Sequence, residues 1–220
     1  LRARNEKLQG ILEAAKQLGS ERNIDRLLER ILGAATQIIG CDRCSLFIVD
    51  HERSELWSKI AQGSDSEIRF PIGKGIAGQC AQTREPILIN DAYGDTRFNP
   101  DVDKSTGYRT RNMLTVPMLD AEGLITGVIQ ALNKKGGGDF TEEDQDLLLA
   151  LGGQAAVSVE NALLHGDIER LFEGFIKASV YAIEARDPTT SGHSERVAIL
   201  TVGVADAVNR EAPRAHKDTH

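Results

Sequence analysis

A glycine-led turn gives the first residues that could do chemistry. Gly73-Lys74-Gly75 runs directly into residues 76–84, which have a helical pattern. The first amides of a helix have no partner within it, and the helix dipole favours an anion at this end. We therefore predict that the amides of Ile76 and Ala77 hold a phosphate. Helices that begin in this way and bind nothing are also common, so the turn alone does not decide.

A long polar segment, residues 90–108, follows this helix. Unstructured segments of this length within a compact domain are usually lids or binding loops. Asp103 and Thr106 lie on the segment, and Thr110 follows it; a spacing of four places the two hydroxyls on one face of a helical turn. Both hydroxyls then donate to one ligand. In the alternative, Asp103 caps a short helix and the threonines are surface residues.

The chain has three cysteines, Cys41, Cys44 and Cys80. An odd, small number argues against a disulfide framework. The spacing of Cys41 and Cys44 is that of a zinc-binding pair, but no second pair of Cys or His follows at a usable distance. We predict packed cysteines and not a metal site.

Charge and composition exclude several classes of partner. The net charge is −7 and the basic residues are scattered, which argues against nucleic-acid binding. No run of about 18 apolar residues and no signal peptide occur, so we expect no membrane association and a cytoplasmic location. The chain lacks an initiator Met and starts in a helical pattern, so we expect it to belong to a longer protein.

Alternating and helical patterns indicate the elements that must position these residues. An amphipathic helix is predicted over Ile24–Ile39, with Gly40 as its C-cap. Period-two alternation and turn residues predict strands, and a hairpin joins the last two. The strands are residues 44–49, 55–61, 67–71, 86–89, 112–119 and 124–133. We predict an α+β fold in which helices pack on a mixed sheet.

Helical stripes at both ends of the chain indicate self-association. Leu8, Ile11, Ala15 and Leu18 recur at 3-4-3 spacing and suit a partner helix. Thr141 with Asp144 is a capping-box-like start to a helix that runs to about Arg186. Its 3-4 stripe predicts a coiled coil or lever; in the alternative, one helix packs on the sheet and another begins near Gly166. The stripe is Val157, Leu164, Ile168, Leu171, Phe175, Ala178 and Ala182. We expect a homodimer formed through the N- and C-terminal helices.

The block from Gly75 to Asp144 carries a family resemblance. It contains GIAGQ, DAYGDTRFNPDVDKSTGYRTRNMLTVPM and QALNKKGGGDFTEED. Over about residues 20–165 the chain resembles the GAF domains of cyclic nucleotide phosphodiesterases and of some bacterial adenylyl cyclases. The most specific mark is a motif of Asn133-Lys134, Phe140 and Asp144, with Gln145 in place of the final Glu. The resemblance implies a GAF-type sandwich in which Lys134 and Asp144 form an ion pair that holds the fold around the lid.

The same resemblance implies a purine cyclic nucleotide as the ligand, either cyclic AMP or cyclic GMP. It implies a base-facing pair, two phosphate-binding amides, four lid residues and one residue beneath the ligand. Ser45 and Gln62 would face the base, and the amides of Ile76 and Ala77 would bind the phosphate. The lid residues would be Asn99, Asp103, Thr106 and Thr110, and Gln130 would lie beneath the ligand. Asn99 stands where some relatives stack an aromatic ring, and Gln130 where relatives often carry an acid.

A second resemblance covers about 40 residues at the C-terminus. Pro188 and then Gly192-His193-Ser194-Glu195-Arg196-Val197 resemble the first helices of HD-GYP phosphodiesterases, metal-dependent hydrolases of cyclic dinucleotides. His193 would sit at the metal centre of such a domain, but the His-Asp pair and the Gly-Tyr-Pro segment are absent from this sequence. A hydrolytic metal site needs three or more ligands. We therefore predict no catalytic residue and no metal here, with divalent metals only in a catalytic domain beyond it.

These observations predict four parts: residues 1–19, a coiled-coil-like helix; 20–165, the sensor domain; 166–187, a linker helix; and 188–220, the start of the HD-GYP-type domain. The predicted function is that of a regulatory module, in a bacterial protein, that relays cyclic-nucleotide binding through a dimeric helix to a downstream phosphodiesterase. The main alternative is a dimerisation scaffold that binds no nucleotide. A third hypothesis is hydrolysis by this chain itself. Measurable metal-dependent diesterase activity of the purified chain would support it.

Overall fold

The computed structural model describes residues 10, 18–19, 21–58, 68–184 and 193–215. The chain divides into two compact units between His165 and Gly166. The predicted placement of Gln62 lies outside the described residues.

The first unit is built on a six-stranded sheet in the order β3-β2-β1-β6-β5-β4. Its strands are β1 (Cys41–Asp50), β2 (Glu55–Ser58), β3 (Ile68–Pro71), β4 (Ile87–Ile89), β5 (Met113–Leu119) and β6 (Ile125–Lys134). The predicted α+β class, with helices packed on a sheet, is confirmed. The sheet is antiparallel in all five of these pairings and not mixed, because four of them join strands that follow one another in the chain.

One face of the sheet is covered by α1 (Ile24–Ile39) and by the first part of α4 (Glu142–Glu184). The predicted bounds of α1 are confirmed. The Asn23 side chain accepts a hydrogen bond from the Arg26 amide at 3.1 Å, and Gly40 ends the helix at φ 65°. The largest fully buried side chains of this layer are Leu18, Leu27, Ile31, Leu32, Ile39, Leu46, Leu114, Met118, Ile129, Leu148 and Leu151.

Leu18 differs from its predicted role. It is 1% exposed and belongs to the same core as α1, so it packs within its own domain and does not face a partner helix. The 3-4-3 spacing could not distinguish these outcomes, because a helix packed on its own domain needs the same stripe. Leu8, Ile11 and Ala15 lie outside the described residues.

The opposite face of the sheet carries α2 (Gly75–Thr83). Phe47 of β1 and Val128 of β6 pack there against Ala77 and Cys80 of α2. The long polar segment contains a helix of its own, α3 (Asp101–Thr106). Four of the residues predicted to form the ligand pocket lie on this face: Ser45, Ile76, Ala77 and Gln130.

Helix α4 begins with the predicted capping box. The Thr141 amide and hydroxyl donate to Asp144 Oδ2 at 3.1 Å each, and the Asp144 amide donates to Thr141 Oγ1 at 3.2 Å. The helix is continuous through Gly166, so the alternative of a second helix starting there is wrong. Its predicted end near Arg186 and Pro188 lies outside the described residues.

The part of α4 beyond His165, and α5 (His193–Ala215), form the second unit. Large apolar side chains are exposed along this part of α4: Ile168 61%, Leu171 74%, Phe172 62% and Phe175 68%. Among the described helices, α4 alone has a stretch long and apolar enough to span a membrane, at mean hydropathy 1.5. Half of that stretch is buried within the protein.

Candidate functional site

Three glycines shape the turn that leads into α2. Gly73 and Gly75 have φ of 89° and 65°, a region that side-chain-bearing residues rarely adopt. A Cβ on Gly78 would lie 3.0 Å from the Gly73 nitrogen and 3.1 Å from the Pro71 oxygen. Gly78 therefore lets the turn fold onto the helix, where the Gly73 amide donates to the Gly78 carbonyl at 2.8 Å.

The amides of Ile76 and Ala77 lie in the first turn of α2. The Gly78 amide donates to the Lys74 carbonyl at 3.2 Å, which closes the first turn of the helix. The amides of Ile76 and Ala77 donate to no acceptor within the part of the chain that the structure describes. Their side chains are buried, so the helix end is held against the sheet. Such amides, with the helix dipole behind them, suit an anion.

Polar side chains follow one another across the sheet beneath α2. Ser45 of β1 pairs with Gln130 of β6, which pairs with Thr115 of β5. Gln130 Nε2 donates to Thr115 Oγ1 at 3.1 Å, and Thr115 is fully buried. Ser45 and Gln130 were predicted, and Thr115 was missed. Period-two alternation along β5, which relates Thr115 to Met113 and Pro117, was the signal that could have found it.

The Asp103 carboxylate is bound within its own domain. Thr110 donates to it twice, from its amide at 2.7 Å and from its hydroxyl at 2.9 Å, and the Tyr93 hydroxyl donates at 3.0 Å. Asp103 and Thr110 are buried, so these bonds hold α3 against the segment that follows it. Asp103 lies inside α3 and does not cap it, and Thr110 is not a surface residue. The cap at Asp103 and the surface placement of Thr110 are therefore wrong.

The helical turn predicted to join Thr106 and Thr110 is also wrong. Helix α3 ends at Thr106, and Gly107 follows in the left-handed conformation at φ 68°. Thr110 therefore lies beyond the helix, where a spacing of four does not define a common face. The Thr106 side chain lies outside what the structure describes.

Asn99 and Arg97 shape the start of α3 and its approach to α2. Asn99 is exposed, and its Oδ1 accepts a hydrogen bond from the Asp101 amide at 3.0 Å. Arg97 Nη1 donates to Gln79 Oε1 of α2 at 3.1 Å. Hydrogen bonds from the Arg97 side chain lower the pKa of Asp95 to about 2. These contacts tie the polar segment to the helix whose first amides are the candidate anion site.

Lys134 and Asp144 form the ion pair that the family resemblance implied. Lys134 Nζ lies 2.7 Å from Asp144 Oδ1 and donates to the Ile39 carbonyl at 2.6 Å. The Asp144 side chain is only 3% exposed. Burial raises the pKa of Asp144, but hydrogen bonds from Lys134 and Thr141 outweigh it, so the net pKa is lowered. The pair joins the ends of β6 and α1 to the first turn of α4.

Asn133 connects the same motif to residues 90–112, hereafter the lid segment. Its Oδ1 accepts a hydrogen bond from the Arg111 amide at 2.7 Å, and its Nδ2 donates to the Arg109 carbonyl at 2.9 Å. Nδ2 also donates to the Tyr108 hydroxyl at 2.8 Å. Asn133 is buried and has a φ of 55°, which asparagine tolerates better than most residues.

Two further asparagines at the ends of the lid segment were missed. Asn112 Nδ2 donates to the Gly138 carbonyl at 3.0 Å, and its Oδ1 accepts from the Lys134 amide at 2.9 Å. Asn90 Oδ1 accepts from the Phe140 amide at 3.2 Å, and its Nδ2 donates to the Phe140 carbonyl at 3.5 Å. Both asparagines lie at a boundary between a strand and a loop. That position was the sequence signal that could have identified them.

The cysteines are packed, as predicted. Cys41 and Cys44 are free and buried, with their sulfurs 3.3 Å apart, and burial raises the pKa of Cys80 to about 12. Among the described residues, no group of three or more His, Cys, Asp or Glu side chains is placed to hold a metal ion. His193 is the first residue of α5.

Comparison with known proteins identifies the family. The model of the GAF domain matches residues 23–159. A probable 3',5'-cyclic phosphodiesterase pde-5 of Caenorhabditis elegans is 34% identical over 161 residues, which are 67% of this chain and 22% of that protein. The dual 3',5'-cyclic-AMP and -GMP phosphodiesterase 11A of Takifugu rubripes is 34% identical over 166 residues, 70% of this chain and 18% of that protein. The chain thus spans about a fifth of each relative.

Solved structures agree on the fold. The GAF domain of a phosphoenolpyruvate-protein phosphotransferase from Coxiella burnetii superposes with a TM-score of 0.66 at 21% identity, covering 74% of this chain and 98% of that one. A free methionine-R-sulfoxide reductase from Neisseria meningitidis gives 0.60 at 18% identity, covering 72% and 91%. Together with the sequence match, these comparisons show that the chain belongs to the GAF domain family, as a regulatory domain homologous to the GAF domains of cyclic nucleotide phosphodiesterases.

Proposed function

We propose that this chain is a sensor module that binds a purine cyclic nucleotide, cyclic AMP or cyclic GMP, between α2, the sheet and the lid segment. The observation that carries the proposal is the pair of unused amides at Ile76 and Ala77, on the sheet face that also holds Ser45 and Gln130. The amides would bind the cyclic phosphate, and the polar side chains would contact the nucleoside. Both phosphodiesterase relatives are named for 3',5'-cyclic substrates, which supports the choice of ligand class.

Calorimetric titration with cyclic AMP and with cyclic GMP tests the proposal. We expect saturable binding of at least one of them. Thr106→Ala should weaken it about 2–10-fold, since one hydrogen bond contributes about 0.5–1.5 kcal/mol. Thr83→Ala is the matched control, because Thr83 is exposed at the far end of α2 and bonds only locally. Absence of heat with both nucleotides would refute the nucleotide proposal.

The signal would pass along α4 to a downstream HD-GYP-type phosphodiesterase domain, through a homodimer. The exposed apolar residues Leu164, Ile168, Leu171 and Phe175 support the dimer, because their 3-4 spacing suits a coiled-coil seam. Leu171→Asp should convert a dimer to a monomer in size-exclusion chromatography with light scattering. The exposed Lys177→Asp serves as the control for added negative charge. A monomeric wild-type chain would rule out the dimer.

A dimerisation scaffold without nucleotide is the second candidate. The observation that favours it is the bonding of Asp103 to Thr110 and Tyr93, which occupies lid groups assigned to the ligand. A dimer that gives no calorimetric signal with either nucleotide would support this function over the first.

A further inference from the structure

We infer that Asn90 and Asn112 are positioning residues which, with Asn133, couple the lid segment to the first turn of α4. The three side chains, hereafter the asparagine clamp, join both ends of the lid segment to residues 133–144, hereafter the motif segment. For the sensor proposed above, on which this role rests, the asparagine clamp is the path from the lid segment to α4.

Each end of the lid segment has its own attachment. At the start, Asn90 exchanges two hydrogen bonds with the Phe140 backbone. At the end, Asn112 binds the Gly138 carbonyl and the Lys134 amide, and the Asn133 amide donates to the Asn112 carbonyl at 2.9 Å. The backbone of the motif segment is therefore held on both sides by the lid segment.

The motif segment is attached in turn to the helices of the other sheet face. Lys134 binds Asp144 and the Ile39 carbonyl, and the Lys135 amide donates to the Gly40 carbonyl at 2.8 Å. Asp144 lies in the first turn of α4, and the Gln145 amide donates to the Thr141 carbonyl at 3.0 Å. A displacement of the lid segment thus acts on the turn in which α4 begins.

Asparagine suits this role because one side chain both donates and accepts, as a peptide group does. Hydrogen bonds from N–H to oxygen usually span about 2.7–3.2 Å. Displacing the lid segment by about half an ångström therefore lengthens the clamp's bonds to the edge of that range or beyond, or moves the motif segment with it. The bond from Asn90 Nδ2 to the Phe140 carbonyl, at 3.5 Å, is the weakest of them. Covalent linkage through β5 and β6 alone would leave the lid segment free to move without α4.

Hydrogen exchange with mass spectrometry tests the coupling without any ligand. Thr110→Val loosens the lid segment from inside, because it removes the hydroxyl bond to Asp103 while keeping the side-chain shape. We expect it to speed exchange about 3–10-fold at Gln145 and the next three amides, as local opening does. In an Asn90→Ala background the same change should speed those amides by a smaller factor, because only the attachments of Asn112 and Asn133 remain. Asn99→Ala, which removes a bond confined to the lid segment, should preserve the full effect.

Asn90 is exposed, so Asn90→Ala should fold even if Asn112→Ala, which alters a buried residue, does not. Circular dichroism and the fluorescence of the single tryptophan verify folding. A purely structural role for Asn90 predicts the same response at Gln145 with and without it, and that result overturns the inference. An unchanged Gln145 amide in Thr110→Val overturns it too. If neither nucleotide binds, the proposed ligand fails, while these experiments still decide on the clamp.

Discussion

Replacing Asp144 with asparagine measures how strongly the Lys134–Asp144 pair holds the domain together. Removing one partner of a buried ion pair costs about 3–5 kcal/mol, because the other charge is left uncompensated. The Lys134 side chain is 20% exposed and keeps the Ile39 carbonyl as an acceptor, so part of its charge remains solvated. We therefore expect Asp144→Asn to lower the free energy of unfolding by about 2–3 kcal/mol at pH 7.

The pH dependence provides an independent check on the same residue. The pKa of Asp144 is lowered below its ordinary value of 3.8, so the carboxylate stabilises the fold above that pH. This stabilisation is lost as the pH falls through the lowered pKa. The difference between wild type and Asp144→Asn should consequently be constant from pH 7 to about 5 and shrink below about pH 4.

Urea unfolding monitored by Trp57 fluorescence measures both effects. Glu143→Gln is the matched control, since it removes one exposed carboxylate from the same helical turn. It should cost only the dipole interaction, about 0.3–1 kcal/mol. Lys134→Met combined with Asp144→Asn should cost less than the sum of the single changes. Equal effects of Asp144→Asn and Glu143→Gln, or strict additivity with Lys134→Met, would refute the reasoning.

Three further predictions concern single residues. Gly78→Ala should lower the free energy of unfolding in urea by about 1–3 kcal/mol, because the added Cβ would crowd the preceding backbone. Gly33→Ala is the control: Gly33 has open space around it, so this change should stabilise α1 slightly. Equal effects of the two changes would contradict this. Cys80, whose pKa is raised to about 12, should resist iodoacetamide at pH 8 in the native protein and react after unfolding, as peptide mass spectrometry would show. Arg97→Gln should raise the pKa of Asp95 from about 2 towards 3.8 in an NMR titration, and an unchanged titration would assign the shift elsewhere.

Local patterns predicted most elements of the first unit. The bounds of α1 followed from its apolar stripe and Gly40, and α2 and β6 began within one residue of their predicted positions. These elements were predicted correctly because their patterns depend on residues that are close together in the chain. The strand direction did not follow, since it depends on which strands meet in space.

The lid segment shows why the site was harder to predict than the fold. The sequence indicated that residues 90–108 are polar and contain Asp103 and Thr106, but Gly107 ends α3 and moves Thr110 off the expected face. Because Gly107 adopts the left-handed conformation and ends the helix, a spacing of four residues no longer places Thr106 and Thr110 on one face. The sequence alone does not show which glycines adopt that conformation. The Asp103 carboxylate accepts hydrogen bonds from Thr110 and Tyr93, and no rule of sequence spacing predicts these partners.

By itself the sequence determined the fold class, the family motif and the capping box of Thr141 and Asp144, because each depends on residue types at short spacings. Only the tertiary structure decided that Leu18 belongs to the domain core and that Asn90, Asn112 and Asn133 act as one clamp. These asparagines are about twenty residues apart along the chain. They lie side by side because β4 pairs Ile89 with Met113 of β5, and β5 pairs Met113 with Leu132 of β6. Hydrogen bonds form only across such short distances in space.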